Sequence, residues 1–148
     1  MNTFRNYTLC AGLAILVLTG NLVRADDGRA FQATASFSVG VGFSEVCGTI
    51  ATLPAGTRLT IQYAAATVGP VPAGSSVRLA QVKTTLTGGP TVFHNLTQTF
   101  INPIEILFGQ EVTIYADGIV ELCVARLGPT TSALPVIGTV SGRLTLVP

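Results

Sequence analysis

The chain has 148 residues, 48% of them hydrophobic and only 10% charged, with a formal net charge of +1. That length supports one domain around a single core, and the near-neutral balance leaves no footprint for nucleic acid or an anionic membrane. A single histidine, His94, excludes a histidine-rich metal site.

In chain order, residues 1–25 read as a secretory signal peptide. Arg5 gives the positive start, LCAGLAILVLTG the apolar run, and Val23-Arg24-Ala25 the small or modest residues of a cleavage position. The run is far shorter than the roughly 20 residues that span a bilayer, and Asn21 and Arg24 close it. Cys10 is discarded with this segment, and no later stretch is long and apolar enough to span. The mature domain is expected to cover residues 26–148 as a secreted or periplasmic chain without a membrane anchor. Without Arg5 and Arg24 it carries 6 basic and 7 acidic residues, a net charge of −1.

AFQATASFSVGVGF alternates strictly, with Phe31, Ala33, Ala35, Phe37, Val39, Val41 and Phe43 on one face, the mark of a half-buried strand. GTRLTIQYA repeats the pattern with Leu59, Ile61 and Tyr63 inward. VSGRLTL does so with Val140, Leu144 and Leu146 inward. In SVRLAQVKTTLTGG the apolar parity slips between Leu79 and Ala80, which predicts a β-bulge there. EVTIYADGIVELCVARL is expected to form a hairpin. A three-residue loop with Gly118 at positive φ would pair Ile114 with Val120 and Val112 with Leu122, whereas a two-residue turn would set Ile114 against Glu121.

Turn chemistry separates the runs at Pro54-Ala55-Gly56, Pro70 to Gly74, Gly88-Gly89-Pro90, Asn102-Pro103, Asp117-Gly118 and Gly128-Pro129. No helical window shows a capped stripe of period 3.6. The fold class predicted is all-β: an antiparallel β-sandwich of jelly-roll or Greek-key type with about eight strands, a small β-barrel being the alternative. Two PAG turns, each followed by Arg-Leu, hint at a repeat but are too few for a solenoid. LPAGTRLTIQYAAATV, VTIYADGIVELCVARL and VSGRLTLVP resemble segments of small exported bacterial β-sandwich proteins of unassigned function. The resemblance implies the fold and nothing about substrate.

Export leaves two cysteines, Cys47 and Cys123, and an oxidising compartment predicts one disulfide between them. Strand parity sets Cys123 on the outer face with Glu121, opposite Glu111, and Cys47 on the outer face with Glu45 and Thr49. The bond should therefore staple neighbouring strands from the solvent side rather than cross the core, with a stabilisation of roughly 4 kcal/mol in the chain-entropy model. If those strands are antiparallel, Glu45 opposes Ala125 and Glu121 opposes Thr49. That separates the two acids by about 13 Å, too far for a glycosidase-type pair.

His94 is expected at an edge or in a loop, and no Gly-x-Ser-x-Gly elbow accompanies it. Asp26-Asp27, the single adjacent acidic pair, lies too near a chain end for a calcium site. No metal and no cofactor is predicted. Of the aromatic residues, Tyr115 alone is placed on an outer face as a possible ligand contact, so a sugar-stacking platform lacks a second member. Asn95-Leu96-Thr97 fits the glycosylation pattern and matters in a eukaryotic source. The mature domain holds 17 Thr and one Lys, Lys83, so its outer strands lack the charges that discourage edge pairing. The function expected is a non-enzymatic structural, adhesive or ligand-binding module, open to self-association through Thr-rich strands. The alternative is a secreted polysaccharide-acting enzyme using Glu45, Glu121 or His94.

Overall fold

The computed structural model describes residues 28–102, 104–128 and 131–147, and every regular element among them is a strand. Residues 1–25, read from the sequence as a signal peptide, the expected cleavage point and Asp26-Asp27 lie outside the described residues.

In chain order the strands are β1 (Arg29–Val39), β2 (Glu45–Thr52), β3 (Thr57–Val68), β4 (Ser76–Thr85), β5 (Thr91–Asn95), β6 (Gln98–Ile101), β7 (Ile106–Ala116), β8 (Ile119–Leu127) and β9 (Leu134–Leu146). They form two antiparallel sheets, one ordered β1-β9-β3-β7-β6 and the other β2-β8-β4-β5. Pairing is nested: β1 with β9, β2 with β8, β3 with β7, and β4 with β5. A chain doubled back on itself at the β4–β5 turn and then rolled gives that pattern, which is the jelly roll. The ninth strand, β6, is a 4-residue addition on the free side of β7.

Alternating apolar residues from both sheets meet in one core. Leu59, Ile61 and Val68 of β3 and Val136 and Val140 of β9 face Val82 of β4 and Val120, Leu122 and Val124 of β8, all almost wholly buried. Two matching turns launch the long strands β3 and β4. The Thr57 amide donates to the Pro54 carbonyl and the Ser75 amide to that of Pro72, with Gly56 and Gly74 left-handed at φ 73° and 78°. Each PAG segment is thus a type II turn, which requires glycine at its third position.

Several sequence expectations change here, beginning with β1, which ends at Val39 and leaves Val41 and Phe43 exposed. Strands β7 and β8 do not form a hairpin, because they belong to different sheets. Asp117-Gly118 is an arch between the layers: Arg58 of β3 and the Thr87 amide beyond β4 both hydrogen-bond the Asp117 carboxylate, and the Leu53 amide donates to the Gly118 carbonyl. Gly118 accordingly is absent from the positive-φ glycines. Ile114 pairs with Ile61 and Val120 with Thr84 and Ala51.

Tyr63, expected inward, points outward. The register shifts at Gln62 against both neighbours of β3, so Tyr63 is 42% exposed while Ala64 turns to the core. Gly142 of β9 permits this bulge, because a Cβ there would run into the Thr60 carbonyl. The bulge in β4 falls between Val77 and Leu79, earlier than its expected place after Leu79, and leaves Val77, Ala80 and Val82 on one buried face. Leu146, expected inward, is exposed where β9 runs out past the core.

Candidate functional site

Cys47 and Cys123 form a disulfide with Cα atoms 3.9 Å apart, below the 4.4–6.8 Å range usual for such bonds. They are directly opposed on β2 and β8 in an antiparallel ladder. Val120, Leu122 and Val124 of β8 join the core cluster, whereas Cys123 does not, so its side chain projects from the outer side of the sheet. There it is nearly inaccessible, flanked by Cys47 on one neighbouring strand and Gln81 on the other. Glu111 lies on the other sheet and is not its neighbour.

The same ladder sets Glu45 opposite Ala125 and Glu121 opposite Thr49. The acids therefore sit four residues apart along β2, about 13 Å. Glu121 is occupied by Lys83, its cross-strand partner, at 2.6 Å. His94 lies on the edge strand β5 opposite Val82, a core residue, so it takes the inner side of the sheet whose outer side carries Glu121. Its Nε2 is buried without a hydrogen-bond partner. Asn95 ends β5 in an exposed position and accepts a hydrogen bond from the Gln81 side chain.

Tyr115 is on an outer face, as expected, and 48% exposed. The reversal at Gln62 brings Tyr63 to the same face. Tyr63 opposes Glu111, four residues from Tyr115 along β7, which separates the rings by about 13 Å along the strand. Its hydroxyl end lies over Gly109, where a Cβ would meet it at 2.8 Å. Gln62, Tyr63, Glu111, Val112 and Thr113 line a shallow recess, and Tyr115 lies beyond Thr113 along β7.

Two polar anchors close the ends of the sandwich. At one end Arg58 grips Asp117 in a bidentate pair, Nε to Oδ1 at 2.6 Å and a terminal nitrogen to Oδ2 at 2.7 Å. That hydrogen bonding holds the Asp117 carboxyl below its usual pKa against the opposing effect of burial, with a smaller contribution from the Thr87 amide. At the other end Arg126, 2% exposed, continues the inward face of β8. Its guanidinium donates to three backbone carbonyls: Phe43 at 3.1 Å, Ser132 at 2.6 Å and Gly40 at 2.9 Å. No carboxylate among the described residues pairs with it. Arg126 was not singled out from the sequence; the parity of Val120, Leu122 and Val124, which extends to position 126, is the signal that points it inward.

Among the described residues no group of three metal-ligating side chains occurs, and no helix is long and apolar enough to cross a membrane. The fold and its covalent link define an antiparallel jelly-roll sandwich held by one disulfide between adjacent strands. No family model and no curated protein matches the sequence. A solved chain of the Cyanophage Pam1 capsid asymmetric unit is similar at 13% identity and a TM-score of 0.44, over 84% of this chain and 89% of that one. A likeness of that degree carries no inference about function.

Proposed function

We propose that the domain is an exported, non-enzymatic structural module that associates with further copies of itself at a sheet edge. The contrast among its four edges carries this reading. An open edge is a template for another strand, and proteins blunt such edges with shortness, charge, proline or a bulge. β5 and β6 are short, at 5 and 4 residues. β2 bears Glu45 and a register shift between Thr49 and Ala51. β1 has 11 residues in unbroken register with β9, no Lys, no Pro, and one charge, Arg29, at its start.

The separation of Glu45, Glu121 and His94 supports the non-enzymatic side of the reading, since acid–base catalysis needs such groups converging on one substrate. The disulfide fits an oxidising compartment. Sedimentation velocity on the mature protein over a concentration series tests association: the weight-average mass should rise above that of the monomer. A monomer at the highest soluble concentration overturns it.

A second reading rests on Tyr63 joining Tyr115. Two exposed rings on one face, with Gln62, Glu111 and Thr113 near them, suit a neutral glycan that stacks on aromatic faces and hydrogen-bonds the polar groups. Retardation of the protein in gels containing soluble glycans should be abolished by Tyr63→Ala together with Tyr115→Ala. Equal mobility in every gel, or retardation unchanged by the two substitutions, removes this reading.

A further inference from the structure

We infer that β1 pairs antiparallel with β1 of a second copy about a two-fold axis at Thr34, joining two five-stranded sheets into one. This rests on the self-association proposed above and names the edge, the symmetry and the register.

A two-fold contact presents the same surface from both partners, so the edge must be complementary to itself. The segment Phe31-Gln32-Ala33-Thr34-Ala35-Ser36-Phe37 has that property. Read in either direction, its inward positions run Phe, Ala, Ala, Phe around the central Thr34. Antiparallel pairing about Thr34 sets Phe31 against Phe37 of the second copy, Ala33 against Ala35, and Thr34 against itself. Inward residues meet inward residues, as a shared core face requires.

Neighbouring registers fail. An axis at Ala35 sets Ala33 against Phe37, and an axis at Ala33 sets Phe37 against Arg29. An axis between two residues matches inward with outward side chains throughout. Only Thr34 pairs both phenylalanines, and aromatic pairs directly across two strands are favourable contacts.

The structure shows what such a partner would cover. Phe31, Ala33, Ala35 and Phe37 pack against the core but are only partly buried: β2 of the other sheet packs close to β1, yet within its own sheet β1 is hydrogen-bonded to β9 alone. Phe37 is held in place from beneath, since its ring occupies the space over Gly48 of β2. On the outer side Thr34 is exposed and its hydroxyl lies 3.0 Å from that of Thr139 on β9. A second Thr34 would extend that threonine row across the axis. Outside Arg29 the edge is uncharged, so two copies approach without like charges opposed over residues 30–38.

Directly opposed antiparallel residues have Cα atoms about 4.5–5.5 Å apart, within disulfide reach. Thr34→Cys should therefore give a covalent dimer on mild oxidation, with the native Cys47–Cys123 bond left in place. Ser38→Cys is the control, because in this register the two copies of residue 38 are roughly 26 Å apart and should not cross-link. Thr34→Lys sets two ammonium groups against each other at an exposed position and should weaken association at least tenfold without altering the far-ultraviolet circular dichroism. If the wild-type protein associates but Thr34→Cys does not cross-link, or Ser38→Cys cross-links equally well, the register and edge are wrong while the self-association stands. If the wild-type protein is a monomer at every concentration, both fall. Undiminished association of Thr34→Lys also overturns the assignment of the edge.

Discussion

Replacing Arg126 with methionine tests whether the buried guanidinium holds the loops at its end of the sandwich. The substitution keeps the unbranched apolar stem and removes the charge. Three hydrogen bonds are lost, to the carbonyls of Gly40, Phe43 and Ser132. Bonds from a charged donor contribute about 1.5–3 kcal/mol each, so the gross loss is roughly 5–9 kcal/mol. Two effects offset it. The cost of keeping a cation out of water, several kcal/mol, disappears with the charge. Phe43 and Ser132 are exposed residues whose carbonyls can recover water, while Gly40 is only partly so. The net expectation is a destabilisation of about 2–4 kcal/mol. In urea unfolding, with a slope of about 2 kcal/mol per M, the midpoint should fall by about 1–2 M with the slope unchanged. Arg126→Lys should lie between, because an ammonium cannot reproduce the planar fork that reaches three acceptors. A midpoint for Arg126→Met within about 0.3 M of wild type would refute the reasoning, since the carbonyls would then be equally well satisfied without the guanidinium.

Replacing Cys47 and Cys123 together with Ser should lower stability by about 2–5 kcal/mol in the same assay while leaving the native mass unchanged, because the bond constrains the unfolded chain. An altered mass would show that the bond shapes the associating surface. Asp117→Asn should cost stability near neutral pH, and the deficit should shrink as acid is added. The stabilisation from a depressed carboxyl pKa is complete above the unfolded value of about 3.9 and is lost as pH falls through the lower folded value. A deficit of the same size at pH 3 and pH 7 would count against the Arg58 pair as its source. Exported protein should begin at or near Asp26 on N-terminal sequencing, and a retained Met1 would refute signal cleavage.

Strand alternation made the sandwich legible, and the antiparallel neighbours Cys47 and Cys123 with it, because burial on one face of a sheet imposes a period of two on each strand separately. What alternation does not carry is which strand lies beside which. Asp117-Gly118 has the residues of a tight turn, yet the chain there passes between layers, and Arg58 and Thr87, 59 and 30 residues away, hold it. Tyr63 was misplaced for a related reason. Its strand reads as regular through Leu59 and Ile61, and the reversal at Gln62 depends on Gly142, which reaches its position beside β3 only in the assembled sheet. Arg126 went unread in the sequence although the parity of β8 points it inward, because the carbonyls that satisfy its charge, from the distant β1–β2 loop and the adjacent β8–β9 loop, come together around it only in the fold.

Nested pairing also orders events in time. Arg29 is partnered by Leu144 and Val39 by Leu134, so β1 cannot take its place in a sheet until β9 has been synthesised. Cys47 waits likewise for a partner 76 residues later in the chain. Contacts this distant in sequence make a domain slow to fold. A nascent chain of this topology therefore completes its pairs from the inside outward, β4 with β5 first and β1 with β9 last. Its closure is left to the last strand to arrive.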